Sequence, residues 1–122
     1  TTVGRYGLKL REGPKVTRIR CATIDELFDQ VELQSEEMSD RADGEAVASM
    51  FREYEAIELV HGRIEVTIAD SPFKHRRGGI DVRRDGSIEA FVGRTSRTVV
   101  EPTPGETIPQ ALRRELLKPP SQ

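Results

Sequence analysis

The chain begins with two short segments in which apolar and polar residues alternate. They cover residues 5–11 and 15–21, and Gly13-Pro14 between them is a turn signal. Alternation with a period of two is typical of strands that bury one face. We therefore predict an N-terminal β-hairpin whose second strand points Arg18 and Arg20 away from the apolar face.

The next segment changes to helical spacing. Thr23 followed by Glu26 has the pattern of a capping box, in which each side chain bonds a backbone amide at the start of a helix. The apolar residues that follow at helical intervals are Ile24, Leu27, Phe28, Val31 and Met38. A polar run at 40–44 interrupts them, and a second apolar stripe covers 46–57. We predict two acidic helices with a break at 40–44.

The end of the second helix has two interpretations. In the first, Gly62 is a left-handed C-terminal cap and the helix runs to Val60. In the second, His61-Gly62 is a two-residue hairpin turn, and residues 57–60 form a strand. Because the apolar stripe is unbroken through Ile57, we favour the helix.

The second half of the chain is dominated by strand patterns. Residues 63–69 alternate cleanly, and residues 70–79 form a predicted loop rich in cations and glycine. A short strand at 97–101 is expected at a sheet edge. A last helix, 108–117, begins after the cap residue Thr107 and ends before two prolines.

Residues 80–83 and 87–92 predict a second hairpin, and its loop length fixes the register. A two-residue loop would place Val82 opposite Glu89. A three-residue loop, 84–86, instead places Val82 opposite Ile88 and keeps one face apolar. Such loops need glycine in a left-handed conformation, and residue 86 is glycine. We predict the three-residue loop.

These elements predict an α+β fold. It consists of an antiparallel sheet of about five strands, packed on one face by two acidic helices, plus a C-terminal helix. At 122 residues the chain has the length of one domain. We expect a single domain at 1–118 and a C-terminal tail at 119–122.

Composition adds a charge asymmetry to this picture. The chain is 33% charged and has a net charge of −2. Residues 23–60 contain twelve carboxylates and two arginines, a charge of −10, so the remainder carries +8. The expected molecule therefore has acidic helices on one side and basic strands on the other.

The sequence offers few groups for catalysis or metal binding. A lone Cys21 cannot form an intrachain disulfide, and His61 and His75 lack metal-ligand spacing. We predict no catalytic residue, no metal and no cofactor, and the pattern leans away from an enzyme. Neither a signal-peptide core nor an apolar run of about 18 residues is present, so we expect a cytoplasmic, intracellular protein without membrane contact.

One segment is a candidate for contact with an anion or a nucleic acid. Glycines at 78–79 let a backbone approach a phosphate closely, and neighbouring cations supply charge. Phe91 is out of phase with the apolar positions of its strand, which places an aromatic ring on the polar sheet face. The candidate residues are Lys74, His75, Arg76, Arg77, Arg83, Arg84 and Phe91. The competing interpretation is a solvated loop.

The functional hypothesis follows from this two-sided charge. We expect a non-enzymatic interaction or assembly module that self-associates as a homo-oligomer or docks into a larger complex, such as a virion or phage-accessory component. Leu112, Leu116 and Leu117, if exposed, would form an apolar partner interface. One alternative is a nucleic-acid-binding protein that uses the basic sheet and residues 73–84, and another is a small enzyme of unknown class.

Overall fold

The structure is a computed structural model that describes residues 5–48, 60–69, 74–93 and 96–118. Its elements are β1 (Tyr6–Glu12), β2 (Lys15–Cys21), α1 (Ile24–Ala48), β3 (Val60–Ala69), β4 (His75–Arg83), β5 (Ile88–Val92), β6 (Thr98–Val100) and α2 (Ile108–Leu116). The strands form one antiparallel sheet in the order β2-β1-β3-β4-β5-β6. The chain is therefore α+β, with six described strands where about five were predicted.

The predicted N-terminal hairpin is confirmed as β1 and β2. Leu8 pairs with Ile19, and Gly13 closes the turn with a φ of 61°. Glycine suits this position because it has no Cβ to collide with the backbone at positive φ. β3 pairs along the other side of β1, which leaves β2 at one edge of the sheet.

The start of α1 follows the predicted cap with one difference. Thr23 Oγ1 accepts a hydrogen bond from the Glu26 amide at 3.1 Å. The Glu26 carboxylate accepts from the Ala22 amide, one residue earlier than in a capping box. Both bonds satisfy amides that have no partner inside the helix.

The predicted break at 40–44 is wrong, because α1 continues to Ala48. Ala42 is fully buried one turn beyond the buried Met38, so the apolar stripe runs through the polar segment. A glycine inside a helix costs only about 1 kcal/mol, which is too little by itself to end a helix. The remainder of the predicted second helix, 49–57, lies outside the described residues.

β3 begins at Val60. The predicted helix end at Val60 and the predicted hairpin turn at His61-Gly62 are therefore both wrong. Gly62 lies inside the strand, beside a bulge, and forms neither a helix cap nor a hairpin turn. A Cβ at Gly62 would lie 2.8 Å from the Arg11 carbonyl oxygen and 3.1 Å from Met38 Sδ. Close packing therefore accounts for this glycine. Residues 57–59 lie outside the described part of the chain.

The predicted loop at 70–79 is wrong from residue 75 onward, where β4 pairs with β3. Gly78 and Gly79, which suggested a loop, lie in the strand and allow close approach on its two faces. A Cβ on Gly78 would lie 3.2 Å from methyl groups of Leu112 and Leu116, and one on Gly79 would lie 2.7 Å from the Phe91 ring. Residues 70–73 lie outside the described ranges.

The second hairpin, the edge strand and the last helix are confirmed. The loop at 84–86 sets Val82 opposite Ile88, and Gly86 has a φ of 90°. β6 lies at the sheet edge beside β5. Thr107 and Gln110 form a reciprocal capping box at the start of α2.

The core lies between α1, α2 and one face of the sheet. Met38 of α1 approaches Gly62, Leu112 of α2 approaches Gly78, and these two glycines share a sheet face. All six strands and both described helices contribute buried side chains to this core. The described part of α1 thus covers one face of the sheet, and the outward-facing arginines of the strands lie on the other face.

Candidate interaction surface

The sheet face opposite the helices, which we call the open face, is strongly basic. Strand alternation sends every second residue away from the core. Among the described residues, eight cations and three carboxylates lie on this face, a net charge of +5. The cations are Lys9, Arg11, Arg18, Arg20, Arg63, Arg77, Arg83 and Arg97, and the carboxylates are Glu65, Asp81 and Glu89.

The positive charge is concentrated at the β1–β2 edge. We define the hairpin patch as the outward residues Lys9, Arg11, Val16, Arg18 and Arg20. Lys9 lies directly across from Arg18, and Arg11 across from Val16. The outward positions of these two strands hold four cations and no carboxylate. Like charges directly opposite one another destabilise a sheet, so the patch carries an electrostatic cost.

Neighbouring carboxylates relieve little of this cost. Arg11 Nε lies 3.7 Å from Glu65 Oε2, and both side chains are exposed. An exposed pair of this kind is worth about 0–1 kcal/mol. No described residue forms a salt bridge with Lys9, Arg18 or Arg20.

The β4–β6 half of the open face is different because, except for Arg77, its charged side chains are paired. Asp81 accepts a hydrogen bond from Arg63 Nε at 2.6 Å and lies 3.3 Å from an Arg97 nitrogen. Arg83 bonds Glu89 at 2.9 Å. The charge of the open face therefore falls from the β2 edge toward β6.

Phe91 lies on the open face, as its phase in the strand predicts. Its ring packs over Gly79, and the Arg97 guanidinium lies 3.5 Å from the ring centre. The side chain is only 8% exposed. A ring covered in this way is already engaged in a cation–π contact. The expected base stacking on Phe91 stays a prediction, and it would require Arg97 to move.

A pocket of about 290 Å³ opens on the same face. Four cations line it, namely Lys9, Arg63, Arg77 and Arg97, together with Glu65 and Phe91. Arg63 and Arg97 share Asp81, whereas no described residue forms a salt bridge with Arg77. The pocket could therefore accept one anionic group between Lys9 and Arg77.

The structure does not gather the predicted anion-contact residues on one surface. Lys74 and His75 are exposed at the start of β4, and Arg77 faces the pocket. Arg76 points to the helix side, where it donates to the Leu116 carbonyl at 2.8 Å. Because residues 75–79 form a strand and not a loop, alternation separates Arg76 from Arg77. Arg83 is paired with Glu89 on the open face, and Arg84 is exposed in the hairpin loop.

The predicted partner interface on the last helix is not exposed. Leu112 and Leu116 are buried against the sheet, and Leu117 is partly buried at the edge of the core. Gly78 of β4 explains this burial. Because it has no side chain, α2 can approach β4 closely enough for Leu112 and Leu116 to be covered. Leu112 and Leu116 therefore stabilise the fold and are not exposed to a partner.

The outward side of α1 is the acidic counterpart of the open face. We define the α1 ridge as Asp29, Leu33, Glu36, Glu37 and Asp40, all of which are exposed. No described residue forms a salt bridge with any of its four carboxylates. Leu33 is 46% exposed among them.

An internal ion pair fixes α1 to the sheet. Arg41 donates to both Glu12 carboxylate oxygens at 2.7 and 2.8 Å, and His61 Nε2 lies 2.6 Å from the same carboxylate. The hydrogen bonds from Arg41, and then from His61, lower the pKa of Glu12 below its usual value although partial burial opposes them. The cluster of Glu12, Arg41 and His61 therefore serves to hold α1 against the sheet.

The structure does not bring Cys21 together with His61 or His75. Cys21 is buried on the helix side of β2, where burial raises its pKa, while His75 starts β4 on the open face. His61 lies near Glu12, at the opposite end of β1 from the residue that pairs with Cys21.

Within the described ranges, no group of three or more His, Cys, Asp or Glu residues could hold a metal ion. None of the described helices has the length and apolar character needed to cross a membrane.

Sequence reasoning named Phe91, Arg77 and Arg83 but missed most cations of the open face as site residues. Arg18 and Arg20 were placed on the polar side of the hairpin by alternation, which the structure confirms. The same alternation in β1 and β3 would have added Lys9 and Arg63.

No match to this chain was found among protein-family models, curated proteins or solved structures.

Proposed function

We propose that this protein is a non-enzymatic interaction module whose hairpin patch binds an acidic protein surface. The observation that carries the proposal is the grouping of Lys9, Arg18 and Arg20 without a salt bridge to any described residue. A partner that supplies carboxylates would relieve the repulsion among these cations. It would also be steered toward the patch over about one Debye length, roughly 10 Å at 0.1 M salt.

An exposed apolar residue in the patch supports a protein partner. Val16 is 46% exposed and lies among the arginines. Protein interfaces gain most of their free energy from a few central residues, while surrounding polar contacts exclude water. Val16 offers an apolar contact beside Arg11 and Arg18, whereas an aromatic platform for bases is covered by Arg97.

The test uses a fluorescent poly-glutamate peptide as the probe and measures its anisotropy. We expect binding at about 20 mM salt that is lost near 0.5 M, because exposed charges are screened. The variant Arg18→Glu with Arg20→Glu should weaken binding at least about tenfold, which corresponds to about 1.4 kcal/mol. The matched control, Arg84→Glu with Lys118→Glu, makes the same change in net charge away from the patch and should bind normally. Equal loss in both variants would contradict the proposal.

Nucleic-acid binding is the second candidate, and the pocket between Lys9 and Arg77 favours it. A single-stranded oligonucleotide run in the same assay separates the two functions. Binding through this pocket would be lost in Arg77→Glu, and its affinity would fall steeply with salt as counterions are released. If the oligonucleotide binds and poly-glutamate does not, the nucleic-acid function replaces the protein partner.

A further inference from the structure

We infer that the acidic surface bound by the hairpin patch belongs to a second copy of this chain, namely its α1 ridge. The inference rests on the proposed function and identifies the partner. Four cations on the patch face four carboxylates on the ridge, and seven of these eight groups form no salt bridge with a described residue. The exception is Arg11, whose contact with Glu65 is long and exposed.

Each surface also has an exposed apolar residue next to its charged groups. Val16 lies beside Arg18 along β2 and across from Arg11. Leu33 lies one helical turn from Asp29 and one turn from Glu36 and Glu37. Both apolar side chains are 46% exposed. The match therefore includes apolar contact as well as charge, which matters because isolated surface ion pairs add little affinity.

The spacing of charged groups on the two surfaces is compatible. Outward residues along a strand, such as Arg18 and Arg20, repeat at about 6.8 Å. Residues one turn apart on a helix, such as Glu36 and Asp40, are about 5–6 Å apart. A helix laid along the hairpin can therefore bring these two carboxylates near two successive cations.

The two surfaces cannot meet within one molecule. α1 packs on the helix side of the sheet with its ridge turned outward, and the hairpin patch lies on the other side of the same sheet. Contact between different surfaces of identical chains is heterologous, and it extends into open chains unless the rotation closes a ring. We therefore expect association that continues beyond the dimer.

The test compares the wild-type protein with two variants by sedimentation velocity at about 20 mM salt. One variant, Arg18→Glu with Arg20→Glu, removes the patch and keeps the ridge. The other, Glu36→Lys with Glu37→Lys, removes charge from the ridge and keeps the patch. We expect wild-type protein to form species larger than dimers as concentration rises, and each variant alone to remain monomeric.

Mixing the two variants provides the decisive result. Each contributes one intact surface, so the mixture should form species that contain the two variants in equal proportions. The control variant Arg84→Glu with Lys118→Glu should associate like wild type. Leu33→Ala, which leaves all charges unchanged, should weaken association about tenfold. Circular dichroism tests whether every variant is folded. If a charge reversal is unfolded, the neutral pair Arg18→Gln with Arg20→Gln replaces it in the patch, and Glu36→Gln with Glu37→Gln replaces it in the ridge.

Two outcomes would overturn the inference. A mixture that stays monomeric, or wild-type protein that stays monomeric at low salt, shows that the ridge does not fill the patch. If poly-glutamate still binds the patch in that case, the proposed function stands and the partner is a different acidic protein. If poly-glutamate also fails to bind, both the inference and the proposed function are wrong.

Discussion

Gly79 lies where a side chain would compete with two neighbours. A Cβ built on it would lie 2.2 Å from the Ile64 carbonyl oxygen and 2.7 Å from the Phe91 ring. Gly79→Ala must therefore displace the ring or shift β4, and overpacking of this kind costs about 1–3 kcal/mol. We expect a loss of about 2 kcal/mol in the free energy of unfolding, measured by urea denaturation.

Gly7 provides the control for this prediction. It also lies in a strand on the open face, but a Cβ there would have nothing within 4 Å. Gly7→Ala should be neutral or stabilise the protein by about 0.5–1 kcal/mol, because alanine loses less backbone freedom on folding. Similar destabilisation by both substitutions would show that close packing at Gly79 is not the cause.

These glycines also explain the local errors of the sequence prediction. Gly62, Gly78 and Gly79 resemble turn signals, since glycine is the residue that turns most often require. In the structure each permits close packing that depends on a residue distant in the chain, such as Met38 or Leu112. No local pattern contains that contact. By contrast, Gly13 and Gly86 have positive φ, and the hairpins around them were predicted correctly.

At the scale of elements, the segment that leads into α2 depends on one carboxylate. Glu106 accepts hydrogen bonds from the Thr103 amide at 2.9 Å and from Arg114 Nε at 3.0 Å. These bonds, that from Arg114 foremost, lower the pKa of Glu106 from 4.5 to about 2. The carboxylate therefore stabilises the fold fully above pH 4.5, and this contribution disappears as the pH falls toward 2.

Glu106→Gln tests this dependence. At pH 7 the variant should unfold at a lower urea concentration than wild type, and the difference should shrink as the pH falls from 4.5 toward 2. Glu101→Gln serves as the control because it lies in the same segment, and only its backbone carbonyl bonds Arg114. A Glu106→Gln deficit that is equal at pH 7 and near pH 2 would contradict the assigned role.

The helices and strands can be predicted wherever the spacing of apolar residues alone defines them. The two hairpins, the edge strand and the capped last helix follow from alternation and from Thr107. The single long α1 does not, since the polar run at 40–44 predicts a break although Ala42 continues the buried stripe. For the candidate site, alternation placed Arg18, Arg20 and Phe91 correctly. It failed for Arg76 and Arg77, because a segment assigned to a loop has no defined faces.

At the scale of the molecule, charge is separated across the sheet. The chain has a net charge of −2, yet the open face carries +5, and the exposed carboxylates of α1 lie on the other side. A molecule with evenly scattered charges and this net charge would be repelled by a cation exchanger. Since local fields depend on nearby charges over about 10 Å, the open face can bind a resin that the whole molecule would avoid.

We therefore expect the dilute protein to be retained on a sulfopropyl resin at pH 7 and about 20 mM salt. Arg18→Glu with Arg20→Glu lowers the net charge by four and should abolish retention. Arg84→Glu with Lys118→Glu lowers it by the same amount but leaves the hairpin patch intact, so this variant should still bind. If the two variants elute together, net charge and not its placement governs retention, and the open face is not a distinct binding surface.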